Sequence, residues 1–368
     1  MAKSSGASIF PSRRVRRTPF YEGVTAAGMS VCTVYNRMIL PSVFEGEVYD
    51  YHHLKKHVQV WDVSCERQVA VQGPDARRLM DMLSPRDLDR MADDQCYYMP
   101  AIDRDGGLLN DPVLVKLAED HFWISLADSD YLQYVLGIRD ALGLDVRVWE
   151  PDVSPLAVQG PKSDDLMARV FGDAARDIRF FRYKKLAFEG QEFVVARSGY
   201  SKQGGFEIYV EGTENGMPLW DALFAAGEDL EVRAGCPSTR ERVEGGLLSY
   251  GNDMDRSNTP YEIGLGKFVN SPRDYIGKAG LASRSEPERQ IRAVEIAGDE
   301  LTPIAGIWPL LADGRKVGQV TSAGWSPDFN TTVSIAMVDR SHWDAGTRLE
   351  VETTDGMRPA TVHEKFWI

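Results

Sequence analysis

Apolar and polar residues alternate along much of the first 290 residues, and segments with helical spacing interrupt these alternating stretches. Apolar residues recur at helical intervals in five segments, near 75–83, 129–142, 162–170, 216–227 and 239–248. The segments 112–118 and 121–127 alternate on either side of Glu119 and Asp120, which predicts a β-hairpin. This mixture of helices and antiparallel strands predicts an α+β fold.

An internal repeat organises this part of the chain. The stretch VAVQGPDARRLM at 69–80 is echoed by LAVQGPKSDDLM at 156–167. Each copy is a short apolar strand, a Gly-Pro pair that ends the strand, and an apolar-periodic helix start whose first turn suits the proline. Two copies are too few for a solenoid, so the repeat predicts two related α+β halves that start near residues 69 and 156.

The pattern changes from about residue 291 onwards. Short alternating segments follow one another there, separated by the turn signals Asp313-Gly314 and Asp355-Gly356. Such a succession of strands is typical of a small β-barrel or sandwich. We therefore predict a core domain over 1–290 and a C-terminal β-barrel-like domain over 291–368.

Composition and charge narrow the class of protein. The 368 residues are 43% hydrophobic and 26% charged, with a formal charge of −13, which is unfavourable for binding nucleic acid. The exception is the basic cluster Arg13, Arg14, Arg16 and Arg17. We expect this cluster to be a solvated N-terminal segment, and the alternative is an anion-binding arm.

The absence of targeting signals and the spacing of the cysteines predict a cytoplasmic protein. No run of eighteen apolar residues is present, so no membrane span is expected, and no apolar segment near the N-terminus suggests secretion. Four widely spaced cysteines form no C-x-x-C pair, which favours a reducing compartment.

Common catalytic motifs are absent from the sequence. It contains no P-loop, no G-x-G-x-x-G after a strand, no H-E-x-x-H and no G-x-S-x-G. His53 and His57 are four residues apart and could share a helix face, but we expect a surface helix rather than a metal site there. Any chemistry must then depend on an organic cofactor or on positioning.

The stretch SGYSKQGGFEIYV, at 198–210, combines a glycine-rich turn with an alternating strand. Phe206, Ile208 and Val210 fall on one face of this strand, and Glu207 and Tyr209 fall on the other. Residue pattern alone leaves Glu207 either as an exposed edge-strand glutamate or as a group in a binding site.

Four segments, at 97–117, 198–210, 242–269 and 317–327, together resemble the folate-dependent aminomethyltransferase family, typified by the T-protein of the glycine cleavage system. The resemblance covers nearly the whole chain from residue 61 onwards. It implies three domains around a central cavity that binds tetrahydrofolate, with an all-β barrel-like domain at the C-terminus.

The resemblance also implies roles for individual residues. Glu207 matches the glutamate that grips the pterin ring, and the neighbouring glycines would let the flat ligand approach the backbone. Tyr98, Tyr209 and Ser125 are the other expected cofactor-binding residues. Asp111 matches an acid near the nitrogen that carries the one-carbon unit and is the catalytic candidate, although it could instead cap a turn.

Departures from the T-protein pattern indicate a different methyl donor. The stretches GYSKQGGFEI and PSTRERVE lack an acidic pair and an arginine of the T-protein, which counts against transfer from a lipoyl carrier. They are similar instead to a demethylase branch of the family, which moves a methyl group from dimethylsulfoniopropionate to tetrahydrofolate. Another methylated amine or onium donor, and a non-catalytic folate-binding protein, remain alternatives.

A sulfonium donor suggests further site residues. Positively charged sulfur favours aromatic faces, for which Tyr35 and Tyr200 are the substrate-binding candidates. The carboxylate of the substrate needs a cation or backbone donors, and Lys202 and Arg197 are the candidates. No metal is expected, and a homodimer is compatible with this interpretation.

Overall fold

A computed structural model describes residues 12–368, so the first 11 residues of the predicted core domain lie outside the described residues. The strands within this range are β1 (Val31–Tyr35), β2 (Met38–Val43), β3 (Val58–Asp62), β4 (Gln68–Gln72), β5 (Cys96–Tyr98), β6 (Ala101–Ile102), β7 (Leu108–Asn110), β8 (Val113–Ala118), β9 (His121–Ser125), β10 (Arg147–Trp149), β11 (Val153–Gln159), β12 (Tyr183–Phe188), β13 (Gln191–Ala196), β14 (Gly205–Glu211), β15 (Val232–Gly235), β16 (Arg289–Ile296), β17 (Trp308–Ala312), β18 (Arg315–Ser326), β19 (Thr331–Asp339), β20 (Arg348–Thr353) and β21 (Gly356–His363). The helices are α1 (Tyr21–Ala26), α2 (Glu47–Lys56), α3 (Ala76–Leu83), α4 (Tyr131–Leu142), α5 (Ser163–Phe171), α6 (Gly216–Ala226), α7 (Thr239–Glu244) and α8 (Lys278–Ala282).

Two sheets pack face to face in the first part of the chain. The first sheet has the strand order β10-β4-β9-β8-β5, and the second has the order β12-β13-β14-β11-β3-β15. Between them lies a shared apolar cluster, in which Ala70 and Trp123 of the first sheet meet Val194 and Tyr209 of the second. The outer face of each sheet carries helices, because apolar side chains on both faces of a strand require cover on both sides.

The two copies of the repeat form equivalent units. In each copy a strand ends at a glycine with positive φ, at Gly73 (141°) and Gly160 (120°), and a helix begins three residues later. Helices α3 and α4 cover the first sheet, and α5 and α6 cover the second. The helix starts at Ala76 and Ser163, two residues after each proline, so the prolines precede the first helical turn rather than occupying it.

A closed barrel forms the C-terminal part, with the strand order β16-β19-β18-β17-β20-β21. Its interior is filled by aliphatic residues such as Val294, Val320, Ala336 and Val351. The predicted division between residues 290 and 291 falls inside β16, two residues after the strand begins. As a domain boundary it stays a prediction.

Predicted and observed elements agree within two residues except at the helix predicted over 239–248. That helix, α7, ends at Glu244 because Gly245 and Gly246 follow it and Gly246 adopts a φ of 65°. The Leu247 N–H then bonds the Arg242 carbonyl at 2.8 Å, which closes the last turn. Within residues 12–368, no helix combines the length and apolar character needed to cross a membrane.

Candidate active site

Strand β14 directs Glu207 into the space between the two sheets. Phe206, Ile208 and Val210 join the apolar core beneath α5 and α6, so the alternation of the strand sends Glu207 and Tyr209 to the opposite face, as predicted. Glu207 is only 7% exposed, and burial raises the pKa of its carboxyl group. The Ser198 hydroxyl donates a hydrogen bond to Glu207 Oε2. Within the described part of the chain, no cation pairs with this carboxylate.

A buried glutamine shapes the glycine-rich turn that precedes β14. Gln159 at the end of β11 is 0% exposed; its Nε2 donates to the Ser198 carbonyl at 3.1 Å, and its Oε1 accepts from Ser201 at 2.7 Å. Any Cβ on Gly199 or Gly205 would fall 2.0 Å or 2.5 Å from Gln159 Nε2. These two glycines therefore make room for Gln159, whereas a Cβ on Gly204 would meet no atom within 4 Å, and access of a ligand to this backbone stays a prediction.

Asp111 and Tyr98 form a hydrogen-bonded pair. The Tyr98 hydroxyl donates to Asp111 Oδ2 at 2.6 Å, whereas the buried Oδ1 has no partner among residues 12–368. Burial raises the pKa of Asp111 to about 7, against the lowering effect of the Tyr98 hydrogen bond. A carboxyl group with this pKa can exchange a proton near neutral pH.

The sequence analysis did not identify a third carboxylate, Glu66. Burial raises its pKa most, and the negative charges of Glu207 and Asp111 raise it further, so Glu66 lies within electrostatic range of both predicted site acids. It follows the WDVS segment that ends at Ser64, but it lies in a turn rather than in a strand, where alternation could have indicated its direction. The only signal available was a charged residue within an otherwise buried stretch.

Tyrosines complete this group of polar side chains. The Tyr200 hydroxyl donates to the carbonyls of Leu247 at 3.1 Å and Leu248 at 2.8 Å. Burial raises the pKa of Tyr35, and Glu66 and Asp111 raise it further. Burial also raises the pKa of Tyr98, with smaller contributions from Asp111, Tyr200 and Tyr35, so the tyrosines predicted at 35, 98 and 200 lie in one neighbourhood.

We call the neighbourhood of these residues the recess. Five side chains define it. Each is partly exposed, and burial is the largest cause of the rise in its pKa: Tyr35, Glu66, Tyr98, Asp111 and Tyr200. The structure therefore brings Asp111, Tyr98, Tyr35 and Tyr200 together.

Tyr209 and Ser125 lie deeper, between the sheets. Tyr209 is 1% exposed and packs its ring 5.9 Å from that of Trp123, centroid to centroid. Ser125, at the end of β9, lies beside the Tyr209 phenol and is itself buried. Both side chains therefore point into the space between the two sheets, as Glu207 does.

An ion pair ties the recess to the C-terminal barrel. Arg242 of α7 bonds Asp253 Oδ2 at 2.8 Å and the Ser322 hydroxyl of β18 at 2.6 Å. Arg242 also donates to the Leu247 carbonyl at 3.0 Å, which is one of the two acceptors of Tyr200. The barrel thus helps to fix the segment that holds Tyr200.

The two predicted carboxylate-binding cations, Arg197 and Lys202, have different surroundings. Arg197 pairs with Asp164 of α5 through two hydrogen bonds, of 2.5 and 3.0 Å, and stacks on Phe206, so its side chain lies on the face of β14 opposite Glu207. This placement contradicts its predicted role. Lys202 is exposed; its backbone N–H bonds Glu241 at 2.7 Å, and its aliphatic stem packs beside Gly245.

The expectation of a surface helix at His53 was wrong, and the expectation of a solvated basic cluster holds at three of its four arginines. His53 is buried, its Nε2 lies 2.9 Å from the Glu231 carbonyl, and burial lowers its pKa to about 4, so this face of α2 is not a surface. In the basic cluster, Arg13, Arg14 and Arg17 are exposed, as expected of a solvated segment, whereas Arg16 pairs with Glu150 at 2.7 Å.

Comparison with known proteins agrees with this architecture. Residues 3–273 match the model of the GCVT N-terminal domain, and residues 289–367 match that of the glycine cleavage T-protein C-terminal barrel domain. The crystal structure of glycine cleavage system aminomethyltransferase T from Bartonella henselae superposes with a TM-score of 0.85 at 23% identity, covering 96% of this chain and 98% of that one. The predicted T-protein-like fold with its C-terminal barrel is confirmed.

Sequence relatives extend the comparison. The dimethylsulfoniopropionate demethylase DmdA of Ruegeria pomeroyi is 71% identical over 363 residues, which are 98% of this chain and 100% of that protein. An aminomethyltransferase of Clostridium botulinum (strain Okra) is 30% identical over 339 residues, 89% of this chain and 91% of that protein. The chain therefore belongs to the glycine cleavage T-protein family of aminomethyltransferases.

Proposed function

We propose that this protein transfers a methyl group from dimethylsulfoniopropionate to tetrahydrofolate, giving methylmercaptopropionate and 5-methyltetrahydrofolate. The observation that carries the proposal is the buried Glu207 carboxylate, which is held by Ser198, has no cationic partner in the described chain and shares a recess with Asp111 and Tyr98. Identity of 71% to a demethylase with this donor, over almost the whole chain, supports the choice of reaction.

The residues present fit a reduced pterin. A pterin edge presents an exocyclic amine and a ring N–H side by side, and one carboxylate can accept both hydrogen bonds. Glu207 is suited to this task because a buried carboxylate without a cation has unused acceptor capacity. When bound, tetrahydrofolate supplies a nucleophilic nitrogen, and the protein does not have to provide one.

The charge of the recess favours a cationic donor. Glu66, Glu207 and Asp111 place three carboxyl groups in a poorly solvated space, where a cation favours their ionised forms and is attracted more strongly than in water. Aromatic faces of Tyr35 and Tyr200 would each add about 0.5–2 kcal/mol for a desolvated sulfonium. Lys202, two residues after Tyr200, stays the proposed partner of the substrate carboxylate.

Asp111 is proposed to accept the proton that the acceptor nitrogen loses in the reaction. The methyl carbon leaves sulfur, which keeps the bonding electron pair, and forms a bond to the acceptor nitrogen, which must lose a proton. Asp111 Oδ1 is free to accept that proton, because Tyr98 occupies only Oδ2. Holding donor and acceptor in line in a water-poor recess can account for about 7–11 kcal/mol of the barrier.

Direct assay of both products tests the proposal. Purified protein is mixed anaerobically with tetrahydrofolate and dimethylsulfoniopropionate, and 5-methyltetrahydrofolate and methylmercaptopropionate are quantified in equal amounts. Parallel reactions contain dimethylglycine or an aminomethylated lipoyl carrier protein as donor. Folate binding without turnover of any donor would indicate a binding protein, and turnover of only another donor would change the assigned substrate.

We also propose a cytoplasmic location and a homodimer. Cys32, Cys65, Cys96 and Cys236 are all free thiols. Fractionation of cells that make the protein and light scattering of the purified chain test the two proposals separately.

A further inference from the structure

Gln68 is a buried polar residue at the Glu207 end of the space between the sheets. It opens β4, pairs in register with Ser125 of β9, and is 1% exposed. Because side chains alternate along a strand, Gln68 shares a face with Ala70, which packs against the second sheet. The amide of Gln68 therefore points toward the sheet that carries Glu207 and Tyr209.

The orientation of the Gln68 amide is fixed by its partners. Nε2 donates to the Glu66 carbonyl at 2.8 Å and to the Ser125 hydroxyl at 2.9 Å. A backbone carbonyl only accepts hydrogen bonds, so the nitrogen and not the oxygen of the amide must face Glu66. Oε1 is consequently the free end, and this fully buried oxygen has no hydrogen-bond partner within residues 12–368.

An unpaired buried carbonyl oxygen is costly, and native proteins seldom keep one without a use. The surroundings of this oxygen indicate which use. Glu66, whose carbonyl anchors the amide, is electrostatically coupled to Glu207, and Ser125, the second anchor, lies beside Tyr209. The free acceptor thus belongs to the part of the site where a pterin is proposed to bind, but it lies on a different strand and sheet from Glu207.

We propose that Gln68 Oε1 accepts a pterin N–H that Glu207 does not take, the one at position 8, and thereby selects reduced folates over folic acid. This inference rests on the proposed function. Position 8 carries a hydrogen in tetrahydrofolate, whereas in folic acid it is an unprotonated nitrogen that accepts hydrogen bonds. Gln68 Oε1 therefore gains a bond from the reduced ring and faces an acceptor on the oxidised one.

Binding measurements on matched variants test this selection. Gln68→Met keeps the length and shape of the side chain but removes the acceptor, and Gln72→Met makes the same change at an exposed position on the same strand. Dissociation constants for tetrahydrofolate and folic acid are measured anaerobically by calorimetry. Wild type and Gln72→Met should prefer tetrahydrofolate, and Gln68→Met should lose about ten-fold of that preference.

The ratio of the two affinities separates selection from a structural role. Equal weakening of both ligands in Gln68→Met, or an unchanged ratio, would overturn the inference, because lost packing does not depend on the oxidation state of the ligand. If Gln68→Met does not fold, wild type is tested with 8-deazatetrahydrofolate, which has carbon at position 8. It should bind about ten-fold more weakly than tetrahydrofolate, and equal binding overturns the inference.

These outcomes are distinct from failure of the proposed function. Wild-type protein that binds neither folate refutes the proposed function itself. Wild-type protein that methylates tetrahydrofolate but shows no effect of Gln68→Met on the ratio leaves the proposed function intact and removes only the selection by Gln68.

Discussion

The two copies of the Gln-Gly-Pro turn have the same sequence but different surroundings. Gln72, at the end of β4, is exposed, whereas Gln159, at the end of β11, is completely buried. The difference comes from the neighbouring strand: β11 pairs with β14, whose glycine-rich entry folds over Gln159, whereas β4 pairs with β9, which follows the short turn at Glu119 and Asp120. A loop therefore covers the turn only in the half that carries Glu207.

The two halves also supply different residues to the proposed site. The second half supplies Glu207 and Tyr200, which are proposed to hold the pterin and the donor. The first half supplies Tyr98 and Asp111, which are proposed to manage the proton. Four predictions break or sharpen this division, and they follow from the largest expected effect to the smallest.

Replacing Glu207 by Gln should weaken tetrahydrofolate binding by about 100-fold, because hydrogen bonds to a charged acceptor are lost and an amide N–H would face the N–H groups of the pterin. Calorimetry under anaerobic conditions measures the effect. Glu211→Gln is the matched control, since Glu211 is an exposed residue on the same strand. Unchanged affinity in Glu207→Gln would mean that the second half does not hold the ring.

Replacing Asp111 by Asn should lower the maximal rate by about 10- to 100-fold with little change in folate affinity. Wild-type activity should rise with pH through about 7 as the carboxyl group ionises, because burial has raised its pKa to that value. The variant should lose this dependence. Asp105→Asn, on an exposed turn of the same half, is the control, and an unchanged pH profile in Asp111→Asn would contradict the assignment.

The same substitution in both copies of the repeat tests the comparison directly. Gln159→Met should reduce the free energy of unfolding by about 1–3 kcal/mol and weaken folate binding, because the carbonyls of the glycine-rich turn lose a buried donor. Gln72→Met should change stability by less than about 0.5 kcal/mol. Denaturant titration measures both, and equal effects would show that the two turns do not differ energetically.

Stability should also depend on the protonation of Asp111. Its pKa in the folded state is about 7, above the ordinary value of about 3.9 for an unfolded chain, so the folded state binds the proton more tightly. The stabilisation that this tighter proton binding gives is fully present below about pH 4 and is lost as pH rises to about 7. The free energy of unfolding falls by no more than about 1.4 kcal/mol per pH unit. Unfolding free energies of wild type and Asp111→Asn between pH 5 and 7 check the sign. A steeper fall in the variant would contradict it.

Strand periodicity was the most informative part of the sequence. It placed Glu207 opposite the apolar face of β14, and it located the hairpin of β8 and β9 to within two residues. Family resemblance then supplied Asp111 and Tyr98, and the preference of a sulfonium for aromatic faces supplied Tyr35; no periodicity could have connected these three residues. The direction of Glu207 and the position of the hairpin were confirmed because each depended on local alternation, whereas the roles of Asp111, Tyr98 and Tyr35 stay predictions.

Residues outside regular alternation were harder to predict. Glu66 lies in a turn, and the roles of Gln159 and Gln68 depend on partners contributed by distant segments. Arg197 illustrates the opposite error: it lies next to the site in sequence, but its partner Asp164 comes from α5 on the outer side of the sheet. Proximity along the chain does not reveal which way a long charged side chain turns.

The bond from Arg242 to Ser322 has a consequence for biosynthesis. Arg242 would be left with a buried charge lacking one of its acceptors until β18 has been made, because Ser322 belongs to that strand. A nascent chain that has emerged only as far as residue 288 should therefore be able to form both sheets without yet setting Tyr200 in place. Ribosomes stalled before and after residue 326 should differ in whether the emerging polypeptide captures a fluorescent folate.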